Sequence, residues 1–190
     1  MSAGDCPDLI GPWRPQRLIG SGAVASVYLC TNDAGQEAAV KWLNHSEGPL
    51  VGRFLREIDS LRRLSHPGVT RFIDSGESGG RPFLAMEHVN GLDLRLFTAK
   101  LNKRPSAERY SRCRTIGRAL CDALEHIHQV GMVHRDVKPS NVFVADDGRI
   151  VLGDFGVVKD PEAMEKTAVG VVIGTLAYAA PEQIEGETVS

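Results

Sequence analysis

Within one short stretch, His134-Arg135-Asp136-Val137-Lys138-Pro139-Ser140-Asn141, the chain places a carboxylate, an ammonium and a carboxamide. A carboxylate can accept or orient a proton, an ammonium can screen a phosphate, and a carboxamide oxygen can ligate a cation. Asp154-Phe155-Gly156 follows a short hairpin. An Asp ending a strand beside Asn141 can share with it a hard divalent cation such as Mg²⁺ through oxygen ligands. Upstream, Gly20-x-Gly22-x-x-Ala25-x-Val27 lies in an expected hairpin, where glycines let backbone N–H groups approach phosphate oxygens. Two glycines also occur in ordinary turns, so this segment alone decides little. A dinucleotide-binding turn is disfavoured, because a strand follows it where that fingerprint needs a helix. Lys41 stands in Ala38-Ala39-Val40-Lys41, and alternation puts Ala39 and Lys41 on one face beside the glycine hairpin. Glu57 shares a helical face with Phe54 and Leu61, where an acid needs a partner. Lys41 is the available cation, and pairing would hold its tip where phosphate must bind.

The elements that must position these groups fall into two kinds. From Trp13 to His88 the signals are strand-like: Leu18-Ile19 before the glycines, an apolar run from Val24 to Cys30, turn chemistry at Asn32-Asp33-Ala34-Gly35, and a strand from Glu37 to Leu43. One helix interrupts them, with Phe54, Leu55, Ile58, Leu61 and Leu64 at helical spacing and Pro67-Gly68 as its stop. Strands resume at Val69 to Ile73 and Pro82 to Val89. After Asn90-Gly91 the character changes. Pro105-Ser106 starts a long helix lined by Ile116, Leu120, Leu124 and Ile127, with Ala119 and Ala123 beside them, and Gly131 ends it. Val142 to Ala145 and Ile150 to Leu152 then flank Asp146-Asp147-Gly148, a hairpin signal. The expectation is an α+β chain of two lobes, strand-rich before Asn90-Gly91 and helix-rich after it.

Composition narrows the partners. A formal net charge of -2 and the lack of any contiguous Lys or Arg run argue against nucleic acid and leave small molecules and proteins. The first residues have neither a basic nor an apolar region, which argues against a signal peptide. The most apolar stretch, Ala168 to Ala180, is too short for a membrane span. The four cysteines form no CxxC pair, and Cys113 and Cys121 lie roughly 12 Å apart along one expected helix, too far for a disulfide. Reduced thiols in the cytoplasm are the expectation. His126 and His128 lack Cys or Asp at ligand spacing and read as surface or packing residues, as Trp13 and Trp42 read as packing residues.

Taken in order, the glycine loop, strand lysine, helix glutamate, HRDxKxxN, DFG and Gly174-Thr175-x-x-Tyr178-x-Ala180-Pro181-Glu182 resemble a protein kinase, most of all the bacterial, eukaryotic-like (Hanks-type) serine/threonine kinases. The resemblance runs from Trp13 to Ser190. It implies a protein-kinase-like bilobal fold: an antiparallel-sheet N-lobe with one helix over 13–89, an incomplete helical C-lobe over 90–190, and an N-terminal extension over 1–12. It implies ATP and Mg²⁺ as cofactors and a protein substrate, which can be a second copy in trans. Gly20 and Gly22 would cover the phosphates, Lys41 would hold the α- and β-phosphates, and Glu57 would orient it. Asp136 would accept or orient the hydroxyl proton and Lys138 would screen the γ-phosphate, with Asn141 and Asp154 on Mg²⁺. Val27, Ala39 and Phe143 would sandwich the adenine behind Met86, with Glu87, His88 and Val89 as the hinge. Leu61, Phe72, His134 and Phe155 would form an apolar stack.

The same resemblance assigns regulation and acceptor type. Lys138 and Gly174-Thr175 match the serine/threonine class, Arg135 matches kinases controlled from the activation loop, and Thr167 is the best-placed acceptor there. Thr175 would pack against Asp136 and Lys138, and Val157 matches kinases that favour threonine acceptors. Val169 to Ile173 form an apolar loop that would pack on the lobes. Two departures stand out. Ala25 replaces the third loop glycine, which is tolerable at negative φ. Ser190 comes eight residues after Glu182, where the family fold continues with a helix that anchors the catalytic loop. The expectation is that this stretch alone is poorly soluble and inactive. Two alternatives remain: a non-catalytic ATP-binding or protein-binding module, and a small-molecule phosphotransferase of related fold.

Overall fold

A computed structural model describes residues 6–154 and 177–181. The described chain divides into two compact units, one of residues 6–62 and 71–88, the other of 63–70 and everything described from 89 onward.

The first unit is a five-stranded antiparallel sheet with one helix. Its strands are β1 (Arg14–Ser21), β2 (Ala25–Thr31), β3 (Glu37–Leu43), β4 (Phe72–Ser78) and β5 (Arg81–Met86), in the order β1-β2-β3-β5-β4. The helix is α1 (Pro49–Arg62). Alternation sends Ala38 and Val40 of β3 to one face and Ala39, Lys41 and Leu43 to the other. Both faces are covered, so Ala38, Ala39, Val40 and Leu43 are all buried. Ile10, Trp13, Cys30, Ala38, Val40, Phe83 and Ala85 form the core, with Trp42 packed against it. The Trp13 indole N–H donates to Asp74 Oδ2 at 3.4 Å. Ile10 and Trp13 exchange backbone hydrogen bonds around Gly11, whose φ of +59° suits glycine. A Cβ at Gly11 would stand 2.7 Å from the Phe83 ring, so no larger residue fits. The expected extension over 1–12 therefore ends in residues that belong to this core.

The second unit holds β6 (Gly91–Asp93), α2 (Leu94–Leu101), α3 (Ser106–Gln129), a 3-10 turn at Pro139–Asn141, β7 (Val142–Ala145) and β8 (Ile150–Leu152). Its sheet runs β6-β7-β8. Ile116, Ala123 and Ile127 give α3 its buried stripe, and all of β8 is buried. α2 was not expected from apolar spacing. Its signal is Asp93, whose carboxylate accepts from the Arg95 and Leu96 backbone N–H groups as an N-cap.

One strand differs from expectation. Val69 to Ile73 reads as a single apolar run, but Val69 forms a parallel bridge with Leu152 while β4 starts at Phe72. Thr70 N–H donates to the Leu152 carbonyl at 2.9 Å, and Leu152 N–H to Gly68 O at 2.9 Å. These bonds tie residues 63–70 to the unit that contains β8. The apolar pattern is the same in either pairing, and the partner strand decides.

Candidate functional site

In the first unit, Lys41 sits on β3 in register with Val27 of β2 and Leu84 of β5. Its Nζ lies 2.7 Å from Glu57 Oε1, with side-chain exposures of 15% and 2%. Glu57 is on the buried stripe of α1 with Phe54, Ile58 and Leu61, so the helix that covers the sheet carries its acid to the lysine. Burial makes each charge depend on the other, since an uncompensated ion here costs several kcal/mol, roughly. Ala39, two residues before Lys41, stands opposite Met86, and Glu87 N–H donates to Arg71 O at 2.9 Å just past β5. Val27 and Gly20 are register partners on β2 and β1.

The glycine turn has an anchor that the sequence reading missed. Asn44 Nδ2 donates to Gly22 O at 2.9 Å and Ala23 O at 3.3 Å, and Asn44 N–H donates to Val24 O at 2.8 Å. Ser26 Oγ donates to Asn44 Oδ1 at 3.2 Å. The one signal for it is an amide side chain placed directly after a strand that pairs with the turn. Neither Gly20 nor Gly22 has positive φ, and a Cβ at either would make only ordinary contacts, 3.6 Å from Val27 and 3.8 Å from Ala25 O, so within this chain neither position demands glycine. Ala25 opens β2 outside the left-handed region, which leaves its methyl unstrained.

In the second unit, the catalytic-type stretch is built around His134, which is 1% exposed. The Asp136 backbone N–H donates to its Nδ1 at 3.2 Å, so the proton sits on Nε2, which faces Gly153 O at 3.2 Å. Burial holds this imidazole below its usual range, so it is a neutral pin. Arg135, between the buried His134 and Asp136, is exposed and adopts φ +61°. Left-handed backbone in a residue with a Cβ is sparsely populated and needs such support on both sides.

Asp136, Lys138, Asn141 and Asp154 meet in this unit. Lys138 Nζ lies 2.9 Å from Asp136 Oδ2. Asn141 Nδ2 donates to Asp136 O at 2.9 Å, to Asp136 Oδ2 at 3.0 Å and to Asp154 O at 3.5 Å. Gly153 N–H donates to Asn141 O at 2.8 Å. The turn that aims Asn141 begins at Pro139, and Asn141 N–H donates to Lys138 O at 2.9 Å. Asp154 is exposed with φ +56°, a region where Asp is enriched. Gly153 before it is obligatory for space, because a Cβ would meet Thr70 Oγ1 at 2.7 Å and the Phe143 ring at 3.2 Å. Asn141 directs its amide N–H groups to Asp136 and Asp154, and its carboxamide oxygen accepts from Ser140 Oγ at 3.4 Å while keeping a second lone pair. That oxygen and the Asp154 carboxylate are hard donors of the kind Mg²⁺ accepts alongside water and phosphate.

The other expected residues divide as follows. Met86, Glu87 and His88 close the first unit, and Val89 opens the second. Phe143 lies on β7, opposite Val151 and Asp93. Leu61 is buried in α1, and Phe72 on β4 carries the Arg62 guanidinium 5.1 Å from its ring centre. Phe155, Gly156, Val157, Thr167, Val169 to Ile173, Gly174, Thr175 and Glu182 lie outside the described residues. The four cysteines are free, and burial pushes the Cys30 thiol up to about 12. His126 stacks on His66 with ring centres 5.2 Å apart. Among the described residues no helix is long and apolar enough to cross a membrane.

Comparison with known proteins gives the family. The protein kinase domain model matches residues 13–190. The chain is 34% identical over 182 residues to a probable serine/threonine-protein kinase, pknA2, of Bifidobacterium longum, covering 92% of this chain and 24% of that protein. It is 36% identical over 191 residues to the serine/threonine-protein kinase PknA of Mycobacterium tuberculosis, covering 96% and 43% respectively. Among solved structures, the Mycobacterium tuberculosis PknI kinase domain aligns with a TM-score of 0.71 at 30% identity, over 95% of this chain and 66% of that one. The chain belongs to the protein kinase family and has its fold. It spans about a quarter to under half the length of these two curated relatives.

Proposed function

We propose that the protein is an ATP-dependent serine/threonine protein kinase. The observation that carries this reading is the cluster of Asp136, Lys138, Asn141 and Asp154, in which one buried carboxylate oxygen receives both an ammonium and a carboxamide N–H. In this reading Asp136 orients the acceptor hydroxyl and takes its proton as oxygen attacks the γ-phosphorus. The new O–P bond forms as the bond to the β-phosphate oxygen breaks, releasing ADP. Lys138 screens the transferring phosphoryl group. Lys41, fixed by Glu57, binds the α- and β-phosphates beneath Gly20 and Gly22. Val27, Ala39, Met86, Glu87, Val89 and Phe143 receive the adenine. Asn141 and Asp154 would hold Mg²⁺, which when bound neutralises charge building on the phosphates.

The acceptor is a serine or threonine of a protein, a class supported by Lys138 and by the names of the relatives. A second copy acting in trans is one such substrate, with Thr167 as acceptor and Arg135 as the phosphate's partner. Free cysteines, with ATP as substrate, support a cytoplasmic setting. The test is phosphate transfer from labelled ATP to peptides that differ only in Ser, Thr or Tyr at the acceptor. Asp136→Ala should lower the rate by about 10²–10⁴-fold, the span of a general base. A variant with near-full rate, or transfer to tyrosine alone, would defeat the reading.

A further inference from the structure

Residues 100–118 span the end of α2, the connecting turn and the first half of α3. They hold seven Lys or Arg against one acid, Glu108, in a chain whose formal net charge is -2. The remainder therefore carries an acidic excess, and the positive charge is concentrated here. Lys100, Lys103 and Arg104 surround the turn, while Arg109, Arg112, Arg114 and Arg118 follow along the helix. All are exposed, and among the described residues none makes an ion pair. A merely solvated helix face usually intersperses both signs, since like charges three or four residues apart repel.

The directions of these side chains discriminate among anionic partners. At about 100° per residue, Arg109 and Arg112 project within about 60° of each other, and Arg114 and Arg118 within about 40° of each other on the far side of α3. A flat lipid surface can meet one pair and not both. A flexible chain can pass around the helix and meet each pair in turn. Single-stranded nucleic acid has that flexibility but binds by stacking on aromatic platforms, and Tyr110 is the one aromatic residue in this stretch. Five of the seven cations are arginines, whose forked N–H groups match carboxylates two bonds at a time. We propose that this surface docks an extended, carboxylate-rich segment of a partner protein. It lies apart in sequence from the residues assigned to phosphoryl transfer, so its test does not depend on catalysis.

The test is fluorescence anisotropy of a fluorescein-labelled peptide of about ten glutamates, titrated with the intact protein. Binding should be present at low salt and weaken steeply as NaCl rises from about 50 to about 300 mM, because exposed charges are screened. R109E/R112E and R114E/R118E should each weaken binding by about three- to tenfold, with melting temperature and phosphorylation of a short neutral peptide unchanged. R114Q/R118Q serves where charge reversal unfolds the protein. Absence of peptide binding at low salt, or folded variants that bind like the unaltered protein, would overturn the proposal. So would tighter capture of phosphatidylserine vesicles or oligo-dT than of the peptide by the same arginines.

Discussion

Replacing Lys41 with methionine removes the cation that faces Glu57 inside the first unit while keeping most of the side-chain volume. At the observed 2.7 Å, two unit charges in an effective dielectric of about 20 attract by roughly 6 kcal/mol. Taking both ions out of water offsets much of that. Removing one partner of a buried pair still costs about 3–5 kcal/mol, because the remaining charge keeps its desolvation penalty. Lys41 retains 15% exposure, which points to the lower end, about 3 kcal/mol. For a chain of this length that corresponds to a fall in melting temperature of about 6–12 °C. Glu57→Gln leaves the Lys41 ammonium without its counter-ion, but Lys41 is the more exposed partner and the glutamine oxygen can still accept its hydrogen bond, so it should cost less, about 1–2 kcal/mol. In K41M/E57Q neither charge remains, and its destabilisation should fall short of the sum of the two single changes by about 1–2 kcal/mol. Differential scanning fluorimetry of the four proteins without nucleotide measures all of this independently of catalysis. A K41M protein melting within about 1 °C of the unaltered one, or strict additivity in the cycle, would refute the argument.

Two further outcomes follow from the same structure. Burial holds His134 below its usual range, so the folded protein keeps it neutral while the unfolded chain takes up a proton as pH drops through about 6.5. Its contribution is therefore complete above that pH and is lost as pH falls toward the lower folded value, and His134→Gln should flatten melting temperature against pH between about 7 and 5.5; parallel curves would count against this. Asn44→Ala removes the side-chain bonds to Gly22 and Ala23, so the KM for ATP should rise about three- to tenfold with kcat nearly kept, and an unchanged KM would show that the anchor does not matter.

Much of this protein was readable along the chain. The hairpin of β7 and β8 starts and ends where its apolar runs and Asp146-Asp147-Gly148 place it, because a two-strand turn is a local event. The stripe of α1 was legible from spacing, and one acid on that stripe was enough to name Lys41 as its partner. Other features carried weak signals or none. α2 has few apolar residues facing a core, and Asp93 was its single local mark. Ile10 lies before any regular element, yet it is fully buried because the sheet face formed by Ala38, Val40, Phe83 and Ala85 needs a cover.

The residue types and order told which chemistry was present, since a carboxylate, an ammonium and a carboxamide keep their reactivity wherever they stand. Their mutual placement came from contacts across the fold. The segment 63–70 follows β8 because Leu152 offers backbone partners to Gly68 and Thr70, a choice no local pattern encodes. Asp136 meets Asn141 and Lys138 in one turn because His134, buried and neutral, ties that turn to Gly153 on a distant segment. Backbone hydrogen bonds and buried surface act between residues far apart in sequence, and only folding brings those partners within reach.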